Sequence, residues 1–161
     1  MNYIAQVGGV TVFDEYFEYL ESIKNSLPAH VYEFASDYGH YNLTDHSSLH
    51  DAWLNSLNII EPSSGERNEN RRIEIIANFL GPFHDREIVL RYLNVQSFNL
   101  QTPSESESSR KSQLGHGDLL IHEVRFENQL IVHELNFLRG STFIIECKDL
   151  IHSENILEKN H

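Results

Sequence analysis

The chain has 161 residues, which suits one compact domain and is too short for two ordinary ones. Hydrophobic residues make up 40% of it and charged residues 22%, a composition typical of folded proteins and not of disordered chains. The 24 acidic and 12 basic side chains give a formal net charge of −12, which argues against nucleic acid or an anionic membrane as the main partner. No apolar run approaches the roughly 18 residues of a membrane span.

The beginning of the chain predicts a short strand followed by two helices. Residues 1–7 have strand character and end at the break Gly8-Gly9. Apolar residues at helical spacing then predict a helix over 11–27, and a proline at the first position predicts a second helix over 28–35. The apolar stripe of the first helix consists of Phe13, Tyr16, Phe17, Leu20 and Ile23. Stripes of this kind usually face a protein core.

Beyond residue 50 the pattern changes from helical to alternating. Strands are predicted at 53–59, 72–79, 87–93 and 95–100, with a polar loop at 62–70 after the first of them. A low-complexity polar run follows at 101–115 and predicts a mobile surface loop between strands.

The last third of the chain predicts an antiparallel meander. Three β-rich segments, 119–126, 130–137 and 142–147, are separated by short breaks that favour tight hairpins. The residues after Asp149 are polar, and we expect a frayed tail over 152–161. The single cysteine, Cys147, excludes an internal disulfide framework and is predicted to be a small core residue.

The register of this meander places three chemically active side chains in one row. With two-residue turns at 127–128 and 139–140, His122 lies opposite His133, and His133 lies opposite Glu146. A shift of the register by two residues keeps the three on one face, whereas a shift by one separates them. Two imidazoles and a carboxylate could hold a zinc or ferrous ion that activates water. The alternative is a structural pair of histidines with Glu146 as a hydrogen-bond partner.

Two His-Asp dipeptides are further candidates for metal ligands. They are His50-Asp51 and His84-Asp85, and histidine–aspartate hydrolases use such pairs to hold metal ions. Those enzymes carry the pairs on helices, whereas both pairs here precede predicted strands. An Asx turn at the entry of each strand is therefore the favoured interpretation.

A third candidate site is a pocket between the helices and the sheet. Tyr16, Trp53 and Tyr92 are the aromatic residues expected to line it. A small-ligand binder of this type needs an apolar cavity of at least about 300 Å³.

Three segments carry a resemblance to known proteins. They are SLHDAWL at 48–54, LGPFHDR at 80–86 and GDLLIHE at 117–123. Together they resemble a family of uncharacterised bacterial proteins of similar length, which brings no assigned activity. The Leu-His-Asp entry to the first antiparallel strand is also similar to small immunity proteins of bacterial toxin systems. That similarity implies a non-catalytic protein that binds another protein.

The sequence therefore predicts a single α+β domain over 1–161, with two N-terminal helices packed on a predominantly antiparallel sheet of about six strands. The leading hypothesis is a non-catalytic, immunity-like binding protein that uses its acidic surface against a basic protein partner. The alternatives are a metal-dependent hydrolase or oxygenase with a His-His-Glu site, and a small-ligand binder. No resident cofactor, nucleic acid or membrane partner is predicted, and the lack of a secretory signal predicts the cytoplasm.

Overall fold

A computed structural model of the protein describes residues 1–102 and 115–158. Within these ranges it has two α-helices and twelve strands in antiparallel sheets, which confirms the α+β class and exceeds the predicted six strands. The loop predicted at 101–115 and the last three residues of the predicted tail lie almost entirely outside the described residues. No helix in the described ranges is long and apolar enough to cross a membrane.

The first predicted helix is shortened because a small hairpin precedes it. Strands β1 (Ala5–Val7) and β2 (Val10–Val12) pair with each other across Gly8 and Gly9. These two glycines have φ angles of +59° and +84°, a conformation that suits a tight hairpin turn and that residues with a side chain rarely adopt. Residues 11 and 12 are therefore part of a strand and not of the helix.

The two helices follow this hairpin. Helix α1 (Asp14–Ile23) has two acidic residues in its first turn, where the helix dipole favours negative charge, and it continues into a 3₁₀ turn at Lys24–Ser26. Helix α2 (Ala29–Ser36) begins directly after Pro28, as predicted. A second 3₁₀ turn, Tyr38–Tyr41, leads away from it.

Eight longer strands build the body of the molecule, and a two-residue pair lies within the predicted polar loop. In β6 and β7, buried side chains alternate with more exposed ones, as the sequence pattern predicts. The strands are β3 (Trp53–Ile60), β4 (Ser63–Ser64), β5 (Asn70–Arg71), β6 (Glu74–Leu80), β7 (Arg86–Leu93), β8 (Ser97–Gln101), β9 (Leu119–Glu127), β10 (Leu130–Phe137), β11 (Thr142–Cys147) and β12 (Asp149–Ile156).

The longer strands form two four-stranded antiparallel sheets, ordered β12-β7-β6-β3 and β8-β11-β10-β9. The two sheets share a corner, because β7 leads into β8 and β11 leads into β12. In one sheet β7 pairs with β12, and in the other β8 pairs with β11. At the far edges, the residues just before β3 meet the start of β9 through the backbone bonds Asp51 N to Leu119 O (2.8 Å) and Leu119 N to Ala52 O (2.9 Å). The sheets therefore enclose one core.

Strand β12 corrects the prediction of a frayed tail over residues 152–156. All eight of its residues pair with β7, from Asp149 with Leu93 to Ile156 with Arg86. Its inward face includes Leu150, which is buried, and His152 and Glu154, which are half-buried. The polar character of that inward face explains why the segment lacks the apolar alternation expected of a strand.

The two hairpins of the meander differ from the predicted register in different ways. The β9–β10 turn lies at Asn128-Gln129, so the register shifts by two residues and His122 pairs with Leu135. This shift keeps His122 and His133 on one face. The β10–β11 turn contains three residues, with Gly140 at φ +82°, so the register shifts by one and Glu146 pairs with Val132. That shift moves Glu146 to the face opposite His133.

The core combines residues from both sheets and both helices in one hydrophobic cluster, and it includes the buried Cys147 as predicted. Helix α1 also covers the free edge of β9. The hydroxyl of Tyr16 accepts a hydrogen bond from the Val124 amide (2.9 Å), and that of Tyr19 accepts one from the Phe126 amide (3.0 Å). These bonds satisfy edge amides that would otherwise lack partners.

Candidate functional site

Two of the three residues predicted to form a metal row do meet, but inside the core. His122 Nδ1 and His133 Nε2 share a hydrogen bond of 3.1 Å, and the Tyr92 hydroxyl lies 2.9 Å from His133 Nδ1. All three side chains are buried. We call this group the Tyr–His chain; it joins the inner faces of the two sheets, since Tyr92 belongs to β7 and His133 to β10. Both ring nitrogens of His133 are therefore engaged by protein groups.

Burial keeps the Tyr–His chain uncharged. Desolvation lowers the pKa of His133 to about 3, and the positive charge of Arg125 acts in the same direction. Desolvation also lowers the pKa of His122 well below its usual value and raises that of Tyr92 well above it. The ring of Tyr41 stacks on His122 with centroids 4.5 Å apart. A neutral, tightly packed chain of this kind favours the interpretation of a structural histidine pair.

Glu146 does not join the two histidines. It pairs with Val132, whereas His133 pairs with Ile145, so the carboxylate extends from the other face of the sheet. The predicted ligand set His122, His133 and Glu146 is therefore wrong. The one-residue difference in the β10–β11 turn is the physical reason.

The two His-Asp dipeptides lie in turns. Asp51 and His84 have φ angles of +64° and +54°, which place both residues in the left-handed region. His50 Nδ1 lies 3.0 Å from Asp51 Oδ1, while Asp85 accepts a hydrogen bond from His46 Nδ1 at 2.6 Å. Asp51 therefore contacts its neighbour in sequence, whereas Asp85 contacts His46, 39 residues away. The Asx turn expected at the entry of each strand stays a prediction.

The three aromatic residues predicted to line a pocket do not share one. Tyr16 and Tyr92 are completely buried in the core. Trp53 is 48% exposed and its ring contacts His84, with centroids 4.4 Å apart. The predicted pocket is therefore wrong in its location, because Trp53 extends from the outer side of β3.

A cleft does exist, between α2 and β12. It has a volume of about 490 Å³, and its lining combines histidines and carboxylates with a larger share of apolar surface. We call it the histidine cleft; its lining residues are His30, Glu33, Phe34, Asp37, His40, Asp149, Ile151 and His152. At one point His30 Nε2 donates to Asp149 Oδ1 over 2.7 Å, which ties the start of α2 to the start of β12.

Three side chains converge beside this cleft. His40, His152 and Glu154 each offer a ligand atom, and these atoms lie within 4.8 Å of one another. His152 Nε2 is 3.4 Å from Glu154 Oε1. Desolvation and the neighbouring His40 lower the pKa of His152 to about 4. We call this group the His–His–Glu cluster.

Sequence analysis did not single out the His–His–Glu cluster. His40 lies in a 3₁₀ turn and belongs to no periodic pattern. Leu150, His152 and Glu154 lie two residues apart along residues 149–156. This spacing is the signal that could have identified a strand with an inward polar pair. Nothing in the sequence predicts that the turn after α2 places His40 beside these two residues.

The molecule also has a strongly acidic side. Asp14, Glu15, Glu18 and Glu21 are exposed on α1, while Tyr16 and Leu20 on the same helix are buried. Glu33 on α2 and Asp37 directly after it are exposed as well. We call the four carboxylates of α1 the acidic helical face, because Glu33 and Asp37 line the histidine cleft.

Comparison with known proteins finds no matching family model and no matching curated protein. Function is therefore inferred from geometry and charge.

Proposed function

We propose that this protein is a non-catalytic binding protein whose acidic helical face docks against a basic protein partner. The distribution of charge along the chain carries this proposal. Residues 1–66 contain ten acidic side chains and one basic side chain, Lys24, so most of the net charge of −12 lies in this segment. An acidic surface of this kind accelerates encounter with a basic partner and favours one orientation of docking.

The acidic helical face has the geometry of a docking surface. Asp14, Glu18 and Glu21 follow each other at helical spacings of three or four residues, so they form one stripe along α1. The opposite side of the helix is fixed to the body of the protein by Tyr16, whose hydroxyl accepts a bond from β9. Charges on a rigidly held helix lose little freedom on binding, which favours affinity.

Part of this face is already neutralised within the protein. Glu21 accepts a hydrogen bond from the Tyr32 hydroxyl over 2.6 Å and lies 3.6 Å from the ammonium group of Lys24. The other carboxylates on α1 make no side-chain hydrogen bond or ion pair among the described residues. They are the groups we expect a Lys-rich or Arg-rich partner to contact, as an immunity-like function requires.

A small-ligand binder is the second candidate, and the histidine cleft is the observation that favours it. Its volume of about 490 Å³ lies within the usual range of about 300–1,000 Å³ for ligand pockets. Its lining combines histidines and carboxylates with the apolar Phe34 and Ile151, which favours a ligand that has both polar and apolar parts.

The test compares two variants with the same change in net charge. The first neutralises the acidic helical face with Asp14→Asn, Glu15→Gln, Glu18→Gln and Glu21→Gln. The second, a matched control, carries Glu61→Gln, Glu66→Gln, Glu69→Gln and Glu158→Gln at exposed positions elsewhere. Native mass spectrometry of the protein isolated from its own host at low salt identifies the partner, and titration with the purified partner measures affinity.

We expect a basic partner whose affinity falls about tenfold in the first variant and remains within about twofold in the control. We also expect the affinity of the unchanged protein to fall as salt rises, and to do so less steeply in the first variant. Equal losses of affinity in both variants would mean that binding depends on net charge alone. That outcome, or the absence of any basic partner, would contradict the proposed docking surface.

A further inference from the structure

We infer that the His–His–Glu cluster binds one divalent transition-metal ion at the edge of the histidine cleft, with His40, His152 and Glu154 as protein ligands. These residues differ from the acidic helical face and from the Tyr–His chain. The inference therefore does not depend on the proposed partner.

The spacing of the ligand atoms is close to what a metal ion requires. Zinc bonds to nitrogen and oxygen of about 2.0–2.1 Å imply ligand atoms roughly 3.4 Å apart in a tetrahedral site. His152 Nε2 and Glu154 Oε1 are already 3.4 Å apart, and all three ligand atoms lie within 4.8 Å.

A hydrogen bond from one ring nitrogen fixes the orientation of the His40 ring and leaves its second ring nitrogen free. Its Nδ1 donates a hydrogen bond to the Phe34 carbonyl over 2.8 Å. The proton therefore resides on Nδ1, and Nε2 has the lone pair that a metal needs. Histidine ligands of metal sites characteristically donate their second nitrogen to a backbone carbonyl in this way.

The carboxylate of Glu154 is held in an equivalent manner. Arg86 donates to Glu154 Oε2 over 2.5 Å, which leaves Oε1 directed towards His152. Because side chains alternate along β12, His152 and Glu154 extend from the same face of the strand. The backbone ladder with β7 therefore fixes both ligands relative to each other before any ion binds.

The state of His152 also favours a metal. Its Nε2 atom is buried and makes no hydrogen bond to any of the described residues. A metal ion would give this nitrogen the partner that the protein does not.

The ligand types and the cleft indicate the class of metal. Two imidazoles and one carboxylate suit Zn²⁺ or Fe²⁺, whereas Ca²⁺ and Mg²⁺ prefer oxygen ligands. Three protein ligands leave at least one coordination position, and His40 and His152 both line the cleft. Asp37 lines the same cleft, and its negative charge acts on His152, which favours a cation there.

A competing site lies on the same cleft. His30 and Asp149 form a pair with 2.7 Å between Nε2 and Oδ1, and both side chains are substantially exposed. An ion held there would involve neither Glu154 nor the buried nitrogen of His152. The experiment must therefore distinguish the two positions.

The test is a zinc titration of the full chain without an affinity tag, followed by equilibrium dialysis and elemental analysis. We expect one zinc ion per chain, and at least a tenfold loss of affinity in His152→Ala and in Glu154→Gln. His46→Ala and Glu87→Gln are matched controls outside the cleft, and we expect them to bind zinc as the unchanged protein does. Circular dichroism and thermal unfolding verify that each variant is folded.

Two outcomes would overturn the inference. One is the absence of bound zinc at micromolar free zinc, and the other is a loss of binding in His30→Ala with none in Glu154→Gln. Cobalt substitution provides a second readout, since the visible absorption of bound Co²⁺ should disappear in His152→Ala and persist in His46→Ala. Because no protein partner is present in these measurements, their failure is distinguishable from a failure of the proposed docking surface.

Discussion

His133 and His152 both extend from the inner face of a sheet, yet they differ in how their ring nitrogens are used. His133 is completely buried, and its two nitrogens contact Tyr92 and His122. His152 lies on an edge strand beside a cleft, and its buried Nε2 has no hydrogen-bond partner within the part of the chain that the structure describes. The same side chain therefore serves to join the sheets in one place and remains available as a ligand in the other. For these two residues, the contacts of both ring nitrogens distinguish the structural side chain from the one available as a ligand.

The largest expected effect on stability follows from removing His133, whose two ring nitrogens are both hydrogen-bonded. His133→Ala leaves the Tyr92 hydroxyl and His122 Nδ1 without their bonds in the core and creates a cavity. We expect the free energy of unfolding to fall by about 4 kcal/mol, measured by urea denaturation at pH 7. His30→Ala, at an exposed histidine, should change it by less than about 0.5 kcal/mol. Similar values for the two variants would contradict the structural function of the Tyr–His chain.

A smaller expected effect is the dependence of the free energy of unfolding on pH. An unfolded histidine has a pKa of about 6.5, whereas burial lowers that of His133 to about 3 in the folded protein. Below pH 6.5 the unfolded chain binds more protons, so stability is complete above that pH and decreases as pH falls towards 3. Between pH 7 and pH 5, His133 alone should account for a loss of about 2 kcal/mol.

This pH dependence can be assigned by comparing slopes. In His133→Gln the stability lost between pH 7 and pH 5 should be smaller by about that amount, while His30→Ala should retain the slope of the unchanged protein. Urea denaturation at three or four pH values provides the measurement. An identical slope in His133→Gln would mean that this ring is not the group that titrates.

The smallest expected effect is at the residue that the predicted register wrongly placed beside His133. Glu146 extends from the opposite face, so Glu146→Gln should change the free energy of unfolding by no more than about 0.5 kcal/mol. It should also leave the pH slope unchanged. A loss above about 1.5 kcal/mol would indicate that Glu146 contacts the core in solution and that the assigned register is wrong.

Much of the fold follows from local patterns. The alternation of Ile75, Ala77 and Phe79 identified β6, and the apolar stripe with Tyr16 and Leu20 identified α1 as a helix packed on the core. These patterns depend on the spacing of apolar side chains, which burial of one face imposes directly. The length of a turn is harder to predict from the sequence, because two-residue and three-residue turns around Gly140 are both compatible with the local residues.

The candidate site was harder to predict for a related reason. His152 and Glu154 place polar groups on the inner face of β12, and this disguised the strand as a polar tail. His40 comes from a 3₁₀ turn far away in sequence, and only the packing of α2 brings it there. Polar residues of a site interrupt the apolar pattern that reveals the fold. The residues that create a site therefore also obscure the strand that carries them.

The corner shared by the two sheets has a consequence for how the protein is made. Strand β7, residues 86–93, pairs on one side with β6 and on the other with β12, residues 149–156. A ribosome delivers β7 long before it delivers β12, so the nascent chain must hold an unpaired strand edge while the intervening residues are synthesised. The same late strand carries His152 and Glu154. Closure of the β7 edge and assembly of the His–His–Glu cluster should therefore occur together, as one of the last steps of folding.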